Sequence, residues 1–122
     1  MKILIVEDEI LIQRSLQKLL EKKGATVSAT ANGKEAIDLI VANDYDKIIC
    51  DLMLQDITGF DIIEDCKKKY TTEEISKKFT IITAYSSDQV LVKARSYGCD
   101  VLNKPFEDMG EALKKFMEIR SE

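Results

Sequence analysis

The stretch Lys2-Ile3-Leu4-Ile5-Val6-Glu7-Asp8-Glu9 decides the fold. Ile3 to Val6 are apolar without alternation, which is how a strand reads when both of its faces are covered, as in a parallel sheet between helices. The run stops abruptly at three acids. From Ile10 the spacing becomes helical: Ile12, Leu16, Leu19 and Leu20 share a stripe, Gln13, Arg14, Gln17 and Lys18 lie opposite, and Gly24 closes the helix. One strand followed by one helix is the unit that the rest of the chain repeats.

The repeats are Ala25–Ala29 as a strand, Asn32-Gly33 as a turn and Glu35–Val41 as a helix; then Lys47–Asp51 as a strand and Phe60–Lys69 as a helix. Phe79–Thr83 reads as a fourth strand, Asp88–Tyr97 as its helix and Val101–Leu102 as a short fifth strand. Beyond Pro105, Phe106, Met109, Leu113, Phe116 and Met117 mark one stripe of a last helix. Five such units predict an α/β fold with a parallel sheet and helices on both faces, because each crossover must be right-handed and lie on a face. The charged stretch Lys67–Lys78 reads as a solvated helix end and loop. No linker or low-complexity segment interrupts residues 1–122, which read as a single domain.

The composition agrees. A chain of 122 residues that is 45% hydrophobic has room for one core and not two. Its 18 basic and 22 acidic residues are interspersed, so the basic footprint of a nucleic-acid binder is missing. There is no histidine. That excludes Ser-His-Asp and Cys-His nucleophilic sites, histidine-ligated zinc and imidazole general bases. Cys50, Cys66 and Cys99 form neither a C-x-x-C pair nor an even set, so neither zinc nor a disulfide framework is expected. Cys50 reads as a small packed strand residue. No segment approaches a membrane span, and the expected location is the cytoplasm.

In an open parallel sheet, ligands bind beyond the carboxyl ends of the strands. The residues found there are Glu7 and Asp8 after the first strand, Asp51 after the third, Thr83 after the fourth, and Lys104 after the fifth; nothing comparable ends the second. Three clustered carboxylates repel one another unless a cation compensates them. With only oxygen ligands on offer, Mg²⁺ or Mn²⁺ is favoured over zinc, and Mg²⁺ commonly shares a phosphate oxygen. Lys104 adds a point charge for phosphate oxygens and Thr83 a hydroxyl donor. The set looks built for a phosphoryl group.

Four motifs then fall in order: Ile3-Leu4-Ile5-Val6-Glu7-Asp8-Glu9, Asp51-Leu52-Met53-Leu54-Gln55-Asp56-Ile57-Thr58-Gly59-Phe60, Ile82-Thr83-Ala84 and Asn103-Lys104-Pro105-Phe106. Together they resemble the receiver domain of CheY-like response regulators over essentially the whole chain. The resemblance implies a flavodoxin-like (βα)5 doubly wound sandwich with strand order 2-1-3-4-5. It implies Asp51 as phosphoacceptor, Mg²⁺ held by Glu7, Asp8, Asp51 and the Met53 carbonyl, and Thr83 and Lys104 contacting the phosphoryl oxygens. Three departures stand out. Gln55 replaces a frequent Pro and Thr58 a frequent Asp, both in the loop after the acceptor and bearing on its rigidity. Val101 stands where the family usually carries Tyr or Phe, so the usual aromatic readout cannot operate from that position.

The function implied is that of a phosphorelay receiver rather than a turnover enzyme. Asp51 takes a phosphoryl group from a phosphohistidine on a sensor histidine kinase or a histidine phosphotransfer protein. An output partner then reads the face made by the helix Asp88–Tyr97, the strand Val101–Leu102 and the last helix. Met53 and Tyr85 stand where fast-dephosphorylating members carry polar side chains, which implies slow loss of the phosphate. Two other readings compete: an aspartate-nucleophile phosphatase of the haloacid-dehalogenase type, disfavoured by Met53 where a general acid is needed, and a receiver that binds partners without phosphorylation. With nothing after Glu122, the chain is either a stand-alone receiver or one cut from a larger regulator.

Overall fold

A computed structural model describes residues 1–84 and 87–118. The elements run β1 (Lys2–Val6), α1 (Ile10–Lys22), β2 (Thr26–Thr30), α2 (Gly33–Ala42), β3 (Lys47–Asp51) and α3 (Gly59–Cys66). They continue as α4 (Thr72–Lys78), β4 (Phe79–Thr83), α5 (Asp88–Ser96), β5 (Asp100–Asn103) and α6 (Met109–Met117). The five strands form one sheet in the order β2-β1-β3-β4-β5 with every pair parallel. This is the flavodoxin-like order that the resemblance implied.

The unbroken apolar runs are explained by the pleat, which sends successive side chains to opposite faces. Ile3, Ile5, Ile49 and Ile82 face a cluster completed by Leu16 and Leu20 of α1 and by Leu113 and Phe116 of α6. Leu4, Val6, Ile48, Cys50 and Ile81 face the other way, against Ala36 and Ile40 of α2, Ile62 and Ile63 of α3, Ile75 of α4 and Ala94 of α5. Both faces are therefore dry. Cys50, Cys66 and Cys99 are free thiols buried in the second cluster; burial lifts the Cys66 thiol to about 12, which keeps it protonated and inert.

The structure corrects several expected boundaries. The stretch Lys67–Lys78 is not a solvated helix end and loop. The helix expected over Phe60–Lys69 ends at Cys66, and Thr72–Lys78 forms a separate helix, giving six in place of five among the described residues. A capping box starts α4: the Thr71 hydroxyl accepts from the Glu74 N–H while the Glu74 carboxylate accepts from the Thr71 N–H. Ile75 is buried beneath it. Lysines of the same stretch hold carbonyls rather than water alone: Lys69 Nζ donates to Ile40 O (2.8 Å) and Asn43 O (2.9 Å), closing the end of α2, and Lys78 Nζ donates to Tyr45 O (2.6 Å). The second strand is one residue later than expected, and α2 starts at Gly33 because Asn32 caps it by accepting from the Glu35 N–H. The fifth strand is longer, Asp100–Asn103, because it pairs with β4 along its whole length.

Candidate functional site

The sheet reverses direction of growth between β1 and β3, so the crevice beyond their carboxyl ends is where a ligand site is expected. Val6 is in register with Cys50, which sets Glu7 and Asp51 side by side as the next residues on the two strands. Asp51 is in turn in register with Ile82 of β4, and Thr83 with Asn103 of β5. Four of the five strands thus deliver the expected residues to one edge.

Glu7 is 0% and Asp51 3% exposed. Between them lies the ammonium of Lys104, whose Nζ donates at 2.9 Å to Glu7 Oε1 and at 2.9 Å to Asp51 Oδ2. Glu9 adds a longer contact at 3.3 Å, and the other Glu7 oxygen accepts from the Glu9 N–H at 3.1 Å. Asp51 Oδ1 accepts from the Met53 N–H at 3.2 Å. One oxygen from each of Glu7, Asp8 and Asp51 can be taken so that all three lie within 4.8 Å of one another. An open depression of about 300 Å³ exposes the cluster, lined by Asp8, Glu9, Asp51, Met53, Gln55, Ala84 and Lys104.

Charge in this cluster is unbalanced. Burial lifts the Glu7 carboxyl to about 7, with the neighbouring Asp51 adding to the rise and Lys104 opposing it. On Lys104 burial works to lower the pKa, but the hydrogen bonds and charges of Glu7 and Asp51 outweigh it and hold the ammonium firmly protonated. Three carboxylates face one buried lysine, and every donor is oxygen. That set fits a hard divalent cation better than any other group.

Thr83 is fully buried rather than on the wall of the depression, which Ala84 lines instead. Its backbone carbonyl accepts from the Lys104 N–H at 2.8 Å, so the ends of β4 and β5 are tied together below the lysine. Val101 is half-buried against the core. Tyr85 lies outside the described residues. Glu9 was not singled out in the sequence as a partner of the lysine; its place directly after Glu7 and Asp8 was the available signal.

Behind Asp51 the chain turns sharply. Gly59 N donates to Leu52 O at 2.8 Å, and a Cβ built on Gly59 would fall 2.7 Å from Asp51 O and 3.1 Å from Leu52 Cα. Glycine is needed here for close approach. Gly59→Ala is expected to destabilise the fold by about 1–3 kcal/mol, since the Asp51 backbone is the atom that must give way. Thermal unfolding of the two proteins checks this, and equal midpoints would contradict it.

Fold and edge together describe a doubly wound α/β domain with an acidic cluster and a buried lysine at its switch point, the arrangement of a signal receiver. The family model described as the response regulator receiver domain matches residues 3–116. The response regulator ArlR of Staphylococcus saprophyticus is 37% identical over 115 residues, covering 93% of this chain and 50% of that protein. The non-phosphorylated HemR receiver domain from Leptospira biflexa superimposes with a TM-score of 0.83 at 28% identity, covering 99% of this chain and 98% of that one. TrrA from Thermotoga maritima, solved in complex with Mg²⁺ and BeF, gives 0.70 at 26% identity over 95% of this chain and 98% of that one. The chain belongs to the response regulator receiver family of two-component signalling. It spans about half the length of the curated relatives it matches.

Proposed function

We propose that residues 1–122 act as a single receiver domain whose Asp51 accepts a phosphoryl group from a phosphohistidine on a sensor histidine kinase or a histidine phosphotransfer protein. The observation that carries this reading is the Lys104 ammonium seated between Glu7 and Asp51, 2.9 Å from each, at the wall of an open depression. A carboxylate oxygen of Asp51 attacks phosphorus, the P–N bond to the donor imidazole breaks, and the imidazole takes up a proton. Since this chain contains no histidine, the donor is another molecule or domain. Mg²⁺, or Mn²⁺ with the same preference for oxygen, supplies neutralising charge when held by Glu7, Asp8, Asp51 and the Met53 carbonyl. Lys104 places its charge against the transferred oxygens, and catalysis is positioning plus electrostatics.

The signal is the change of surface that follows. Thr83, buried at the end of β4, turns its hydroxyl to the new phosphoryl oxygens, and the face formed by α5, β5 and α6 presents the result to an output partner. No nucleic acid takes part directly. No helix among the described residues is long and apolar enough to cross a membrane; a phosphorelay in the cytoplasm accounts for the reduced thiols. The domain catalyses only its own phosphorylation and a slow loss of the phosphate, because Met53, half exposed at the depression, cannot orient water by donating a hydrogen bond.

Intact mass after incubation with acetyl phosphate and Mg²⁺ tests the reading. One alkali-labile phosphate per chain is expected; continuous turnover without a stable adduct would point to a phosphatase, and no adduct would remove the phosphoacceptor role. Asp8→Asn is expected to weaken Mg²⁺ binding about tenfold or more, because a charged ligand is lost from a site with few protein groups. A calorimetric titration in which Asp8→Asn binds Mg²⁺ as tightly as the parent protein would refute the assigned ligand set.

A further inference from the structure

The loop after Asp51 lacks the proline often found there, yet it is held at two places. At its base, Gly59 N donates to Leu52 O, a bridge joins Met53 and Thr58, and Thr58 caps α3 in a reciprocal box with Asp61. Its tip is held by contacts from a distant part of the chain. The Asp56 carboxylate accepts from Gly33 N through Oδ1 and from Lys34 N through Oδ2, each at 2.9 Å. These are the first two N–H groups of α2, which have no partner within the helix, and they lie at the positive end of its dipole. Asn32 takes the third.

The same spot is pressed from a second direction. A Cβ built on Gly33 would fall 2.5 Å from Ile57 Cγ1 and 3.2 Å from Asp56 Oδ1, so α2 comes as close to the loop as a glycine allows. Met53 at the base and Gln55 between base and tip both line the depression. The contacts made three and four residues beyond Met53 therefore hold the far end of the loop that carries it.

We propose that Asp56 is a positioning residue for the metal site: by clamping the tip of the loop onto the N-terminus of α2, with Gly33 allowing the approach, it holds the Met53 carbonyl where Mg²⁺ requires it. This rests on the reading of Met53 as a metal ligand. A carboxylate that merely capped α2 would contribute to stability and leave metal affinity alone, so the two roles separate by measurement.

Mg²⁺ alone is titrated into the parent protein, Asp56→Ala, Asp56→Asn, Gly33→Ala and Thr71→Ala, with amide NMR shifts of Asp8 and Met53 as the readout. Thr71→Ala removes the cap of α4, whose reciprocal bonds with Glu74 involve no residue of the loop, and serves as the stability control. Asp56→Ala and Gly33→Ala are expected to raise the Mg²⁺ dissociation constant about tenfold and to speed exchange of the Met53 amide. Asp56→Asn, which keeps one acceptor oxygen, falls between, and Thr71→Ala matches the parent. A folded Asp56→Ala that binds Mg²⁺ within twofold of the parent overturns the inference; if that variant fails to fold, the same result from Gly33→Ala overturns it. Absence of Mg²⁺ binding by the parent protein overturns the metal reading and this inference with it. Parent binding that shifts Asp8 but leaves Met53 unmoved removes only the second.

Discussion

Replacing Asp51 by Asn is expected to bring phosphate uptake from acetyl phosphate below detection while the protein stays folded. The amide has nearly the shape of the carboxylate and retains an oxygen that can accept from Lys104 or from the Met53 N–H, the two partners of Asp51. It has lost the nucleophile. An amide oxygen carries no full negative charge and is a far weaker nucleophile toward phosphorus than the carboxylate it replaces. Magnesium affinity should fall as well, because one of three charged ligands becomes neutral. Intact mass at several times under identical Mg²⁺ and acetyl phosphate decides the matter. An adduct forming on Asp51→Asn at the parent rate would move the acceptor to another residue.

Lys104→Ala is expected to act on both chemistry and stability. Phosphorylation should slow by at least about a hundredfold, the usual consequence of removing one charge-stabilising donor from a transfer site. Stability near pH 8 should fall by about 2–4 kcal/mol, because Glu7 and Asp51 are left buried without their shared counter-charge. The stability loss depends on pH in a definite sense. The folded chain holds the Glu7 proton more tightly than the unfolded chain, about 7 against 4.5, so Glu7 favours the folded state at low pH and this contribution is lost as pH rises from 4.5 to about 7. Without the ammonium the carboxyl rises further. The deficit of Lys104→Ala should therefore be small at pH 5 and largest above neutrality. Mg²⁺ should bind at least as well as to the parent and recover part of the lost stability. Thermal unfolding at pH 5 and pH 8, with and without Mg²⁺, measures all of this; a deficit independent of pH would show that the lysine contributes packing rather than charge.

Much of this was legible in the sequence because the signals are local and periodic. Ile3–Val6, Lys47–Cys50 and Phe79–Ile82 are buried on both faces, and the polar residue that ends each run lies at the sheet edge without any long-range information being needed. Helix α4 is a different case. Its start signal, Thr71 followed three residues later by Glu74, is present, but five lysines within Lys67–Lys78 mask a helix that buries a single residue, Ile75. The Asp56 clamp could not be read at all. Its partners are backbone N–H groups 22 and 23 residues earlier, and a backbone group leaves no trace in side-chain pattern. The burial of Thr83 beneath Ala84 is likewise a matter of how β4 ends in three dimensions, and no period encodes it.

The bond between Lys104 and Glu7 joins residues 97 positions apart. Synthesis proceeds from Glu7 towards Lys104, so the acids are made before the cation that sits between Glu7 and Asp51 has emerged. A chain that stops short of Lys104 lacks the ammonium that Glu7 and Asp51 share, and its buried acids have no counter-charge.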